Sequence, residues 1–123
     1  MNEERKDKLV YALRSGEYTQ THGCLRNDTG FCCLGVATDI YIRETGKNWV
    51  TITGSTERYG LDVGDPAILD VSTLAHEVKD WFGMKTQTGV IFDNDASTLS
   101  ILNDSGYTFK EIAEVIEENW QSL

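Results

Sequence analysis

The sequence predicts an α+β fold in which four to five helices pack around a core helix at about 33–45, with short antiparallel strands or hairpins beside it. Three observations carry this expectation. Apolar residues recur at helical spacing in several stretches, separated by brief β-branched and aromatic runs. The run Gly30-Phe31-Cys32-Cys33-Leu34-Gly35-Val36 joins a turn directly to the start of an apolar helix. Near the end, Thr108 and Glu111 have capping-box spacing, and Tyr107 and Ile112 occupy the two hydrophobic-staple positions.

The elements follow in order. Glu3 to Arg14 places Leu9, Val10 and Leu13 on one side and closes at Ser15-Gly16, where glycine suits the left-handed cap. Asn27-Asp28-Thr29-Gly30 is turn chemistry, predicting a short hairpin between about 24–26 and 31–32. Cys33 to Thr45 carries Leu34, Val36, Ala37, Ile40 and Tyr41, so this helix is expected to be the buried centre. Trp49 to Ile52 reads as a strand, with 56–61 returning antiparallel after Gly54. The segment 62–70 holds the chain's single proline, Pro66, and reads as a mobile loop. Ser72 or Thr73 is the expected cap of a helix running through Phe82, with Leu74, Val78, Trp81 and Phe82 on one face. Val90 to Phe92 reads as extended, followed by a helix from about Ala96 to Asn103 and a last helix from Phe109 to about Trp120.

With 123 residues, one domain covering 1–123 is expected, large enough to bury roughly two-thirds of its unfolded surface. Twenty acidic against eleven basic side chains give a net charge of −9. Such a field repels phosphate backbones and anionic lipid, which argues against general nucleic-acid or membrane binding. It leaves room for a small anion, because beyond about 8 Å local charges are screened from the rest. No stretch has signal-peptide or membrane-span character, and three cysteines with two adjacent do not make a disulfide framework. The expected location is therefore cytoplasmic.

Each chemical motif has a competing plain explanation. His22, Cys24, Cys32 and Cys33 lie within twelve residues, yet adjacent cysteines are poor joint ligands for zinc, so packed thiols and no metal are expected. Cys33 at a helix N-terminus is the candidate nucleophile of a cysteine hydrolase, an arrangement similar to the helix start of papain-like cell-wall peptidases. His22 and His76 are its only possible imidazole bases, and no orienting third group is evident. Thr108 to Ala113 is similar to the opening of a helix-turn-helix motif. Glu111, Glu114, Glu117 and Glu118 would repel DNA, and they suit instead an acidic inhibitor that mimics DNA in a host enzyme's basic groove. Cations and aromatic rings suited to a nucleotide occur around Tyr18, Gln20, Arg26, Arg58 and Tyr59, without a phosphate-loop motif.

Four ordered blocks, Leu13 to Gln20, Gly23 to Arg26 with Phe31 to Val36, Val78 to Met84 and Leu102 to Ala113, resemble a widespread family of small bacteriophage proteins with an FCCLGV core motif. Members commonly have a tyrosine-like residue where this chain has Cys24, which argues further against zinc. The family is in turn similar to phage sponge proteins, the anti-CBASS proteins that sequester the cyclic dinucleotide messengers of bacterial anti-phage defence. The resemblance implies a non-enzymatic chain without cofactor in the infected bacterial host, binding a cyclic nucleotide as a homo-oligomer. It directs attention to Tyr18, Gln20 and Arg26, with Asn103 as a fourth ligand-binding candidate.

Overall fold

A computed structural model describes residues 1–51, 57–91 and 94–123. The architecture is α+β, with five α-helices and two short antiparallel strand pairs among the described residues. Helix α1 (Glu3–Ser15) is capped by the Asn2 side chain and ends at Gly16 in the left-handed conformation. Helix α2 (Cys33–Thr45) begins at the predicted residue and is buried from Cys33 through Tyr41. It packs against α1, against α3 (His76–Phe82) and against α4 (Leu99–Asp104), while α5 (Phe109–Asn119) lies on α1. Lys6 to Glu117 at 3.0 Å and Arg14 to Glu114 at 2.9 Å bridge α1 and α5.

The N-terminus of α2 explains the vicinal cysteines. Cys32 is the N-cap, and its sulfur accepts the Gly35 N–H at 3.3 Å, the task a serine or threonine oxygen usually performs. Cys33 follows into the interior, where its thiol meets the Leu99 carbonyl at 3.5 Å. Residues 24–26 cross directly over this first turn, and Cys32 N–H donates to the Leu25 carbonyl at 3.0 Å. A Cβ on Gly35 would collide with that same carbonyl, so the crossing requires glycine.

Strand β1 (Trp49–Thr51) pairs with β2 (Tyr59–Leu61), Val50 standing opposite Gly60. Ile52, Gly54 and Thr56 of the predicted pair lie outside the described residues. Strand β3 (Val90–Ile91) pairs with β4 (Asn94–Thr98) through an irregular register. The predicted hairpin between 24–26 and 31–32 reduces to one antiparallel bridge, Arg26 to Phe31, around the Asn27 side chain, which accepts the Thr29 and Gly30 N–H groups.

Two helix boundaries and one loop differ from expectation. Helix α3 starts at His76 after Ala75, without a side-chain cap, because the Leu74 N–H is already committed to the Gln87 carbonyl at 3.0 Å. The fourth helix starts at Leu99 rather than near Ala96, since strand β4 continues to Thr98, whose hydroxyl caps the helix. Within the expected loop 62–70, Pro66–Ile68 forms a 3-10 turn capped by Asp65. The capping box at Thr108 and Glu111 is present as predicted.

Gly35→Ala forces the Leu25 segment off α2. Chemical denaturation of this variant should show a loss of about 3 kcal/mol or more, with the transition remaining cooperative.

Candidate functional site

Tyr18, Phe31, Trp49 and Tyr59 form a half-buried aromatic strip on one side of α2. Phe31 is its middle. The Tyr18 ring meets it edge-on at 5.0 Å between centroids, and Trp49 lies 6.2 Å away on its other side. These rings come from the segment preceding α2, from β1 and from β2. Bridges joining Phe31 to Gln20 and to Arg26, and Arg26 to Tyr59, bring them together.

Two arginines sit on the strip. The Arg26 guanidinium lies 4.6 Å from the Tyr59 ring centroid, 5.1 Å from Phe31 and 5.5 Å from Trp49. It makes no ion pair among the described residues, in a protein with nearly two acidic groups for each basic one. Arg43 stands 5.8 Å from the Tyr18 ring and gives its Nε to Asp39 at 3.1 Å. An arginine seated on an aromatic face keeps its second face for stacking and its N–H edge for an anion.

Beneath the strip, the Asp39 carboxylate accepts the Tyr18 hydroxyl at 2.6 Å and the Trp49 indole N–H at 3.0 Å. Burial, and then the bond to Asp39, raise the Tyr18 hydroxyl above its ordinary value, so it remains a protonated donor at neutral pH. Beside Tyr18 and Arg43 a groove of about 540 Å³ opens between α1 and α2. Ala12 and Ile40 contribute apolar surface, Tyr11 stands 73% exposed, and Lys8 is held by Glu44 at 2.7 Å. Asp7 and Glu17 also line the groove, so its length is acidic and its positive charge lies toward Arg43.

The four expected ligand residues fall into two pairs. Tyr18 and Arg26 share the strip through Phe31. Gln20 and Asn103 instead form an internal lock, with Gln20 donating to the Asn103 carbonyl at 2.9 Å and to the Tyr107 backbone at 2.7 Å. Asn103 is fully buried; its oxygen also accepts the Cys33 N–H at 3.2 Å, and its nitrogen donates to the Thr21 carbonyl at 2.9 Å. Its geometry fastens the strip-bearing segment to α4 and the start of α2, with no face toward solvent. Arg58 and Tyr59 part company: Tyr59 joins the strip, while Arg58 borders a separate hollow of about 300 Å³ with His22, Cys24, Asp28 and Glu57.

The thiols belong to the interior. Cys33 is 1% exposed, and burial pushes its thiol well above the ordinary range, so it offers neither the access nor the thiolate that the hydrolase alternative needs. His22 and His76 are both exposed. No group of three metal-ligating side chains converges among the described residues. Of the carboxylates required by the DNA-mimic alternative, Glu114 and Glu117 are paired with α1 cations, and Glu111 returns to the Thr108 N–H at 3.0 Å. No described helix is long and apolar enough to cross a membrane.

Replacing Asn103 with Ala strands the buried Cys33 N–H, so equilibrium unfolding should register a loss of about 2–4 kcal/mol. Burial also pushes the Cys32 thiol up to about 12 from an ordinary 9.0. The unfolded chain then releases this proton first, so the contribution to stability is complete below pH 9.0 and is lost as pH climbs toward about 12. Denaturation midpoints across that range should fall for the wild type and fall less for Cys32→Ser. No curated protein and no solved structure matches the chain. Residues 1–120 match a family described as a domain of unknown function (DUF8296), and the chain belongs to that family.

Proposed function

We propose that the protein is a phage-encoded sponge that captures a cyclic dinucleotide immune messenger in the bacterial cytoplasm and leaves it chemically unchanged. The resemblance of its sequence blocks to phage proteins supplies the ligand class. The observation that carries the reading is the aromatic strip with a guanidinium at each end, Arg26 over Phe31, Trp49 and Tyr59, and Arg43 over Tyr18. A cyclic dinucleotide has two phosphates and two bases. Guanidinium edges suit the first, and ring or guanidinium faces suit the second.

The groove beside Tyr18 is within the size range of small-ligand sites, but it is open on one side. Capture of a scarce signal calls for a dissociation constant near 1 nM, about −12 kcal/mol, and an open shelf leaves too much ligand surface wet for that. A second copy supplies the cover, and exposed Tyr11 at the groove's rim is an aromatic for it to bury. The homo-oligomer is thus part of the proposal.

Native mass spectrometry after mixing with cyclic di-AMP, cyclic di-GMP and cyclic GMP–AMP tests it. At least one should appear bound to an oligomer, and heat release should return it intact. Arg26→Ala should weaken that binding at least about tenfold, and Arg26→Lys, which keeps the charge and much of the packing but not the planar fork, should weaken it too while the protein stays folded. Absence of binding to all three, or recovery of a linear nucleotide, overturns the reading.

A further inference from the structure

We propose that Asp39 is the positioning residue of the aromatic strip: one buried carboxylate on α2 sets the orientation of Tyr18 and Trp49 and presents Arg43 outward. Its effect on ligand affinity rests on the capture reading above; its geometry does not. The residue lies within the stretch of α2 that is otherwise almost wholly apolar and is 8% exposed. A carboxylate there is costly unless its lone pairs are taken. Three donors take them, and each arrives from a different place: Tyr18 from the segment before α2, Trp49 from β1, and Arg43 from the next turn of the same helix.

A carboxylate only accepts, so all three donors must aim at it. The Tyr18 hydroxyl and the Trp49 indole N–H each lie at the far edge of a ring; the bond to the hydroxyl fixes the direction of the Tyr18 side chain, and the bond to the off-axis indole N–H also fixes the plane of the Trp49 ring. Tyr18 is 21 residues from Asp39 and Trp49 is 10, so both rings are referenced to the rigid helix rather than to their own short segments. Arg43 is engaged through Nε, and its side chain is 68% exposed. That orientation leaves the terminal nitrogens available to an anion above the Tyr18 ring. Asp39 itself touches no ligand in this arrangement.

Asp39→Asn separates positioning from packing. Its oxygen can still accept the Trp49 N–H, but an amide N–H₂ now faces the Tyr18 hydroxyl and the Arg43 guanidinium. Affinity for the cyclic dinucleotide that binds the wild type should fall about tenfold or more. Tyr18→Phe, which keeps the ring and removes only the hydroxyl, should fall several-fold, and the double variant should be little worse than Asp39→Asn. Unchanged affinity, or losses that simply multiply, would overturn the proposal, because a purely structural role predicts no coupling in binding. If Asp39→Asn does not fold, Tyr18→Phe and Trp49→Phe carry the test, and full affinity in both counts against it. Should the wild type bind none of the cyclic dinucleotides, the capture reading fails and the indole N–H resonance of Trp49 decides the present one in Asp39→Ala, which removes its acceptor. A shift in Asp39→Ala upholds positioning, and an unmoved resonance overturns it.

Discussion

The passage of the Leu25 backbone over the first turn of α2 is the constraint on which the remaining structure depends. It exists because position 35 has no side chain, and the Leu25 carbonyl occupies the space a Cβ would fill. Through this crossing the Cys32 N–H finds its acceptor, Cys32 caps the helix, and Cys33 turns inward toward Leu99. Residues 18–31 are thereby laid along the helix rather than projecting from it. The strip exists because Arg26 and Phe31 flank that crossing.

A second level of organisation is polar. Asn103 and Asp39 are both buried, and both hold surface segments to the helical core. Asn103 ties Gln20, Thr21 and Cys33 to α4, and Asp39 ties Tyr18 and Trp49 to α2. Short strands and single bridges would hold these segments weakly in isolation. Buried hydrogen bonds make them definite, so the rings of the strip keep fixed faces.

Legibility in the sequence followed the range of the interaction responsible. Helices α1, α2 and α5 could be read closely because caps and apolar spacing are local: Gly16 ends the first, and Thr108 with Glu111 opens the last. The start of α3 was not legible, since Leu74 is diverted by Gln87, and neither was the extension of β4, which depends on pairing with β3. At the candidate site, residue chemistry alone could single out Tyr18, Arg26 and Tyr59 as suited to a nucleotide. It could not show that Gln20 and Asn103, 83 positions apart, bond to each other. Asp39 escaped notice because an Asp and an Arg four apart on a helix look like an ordinary solvated pair. Trp49 and Phe31 look like core aromatics until three chain segments are assembled around Arg26.

The lock at Asn103 has a consequence of its own. A carboxamide neither gains nor loses a proton anywhere near neutrality, and neither do its partners Gln20, Thr21 and Cys33, but its nitrogen also faces the Asp104 carboxylate at 3.3 Å, which accepts the Gly23 N–H at 3.0 Å. The amide and backbone bonds of the junction therefore keep one form whatever the acidity, and among the described residues Asp104 is the one charged group that fastens the ring-bearing segment to the helices there.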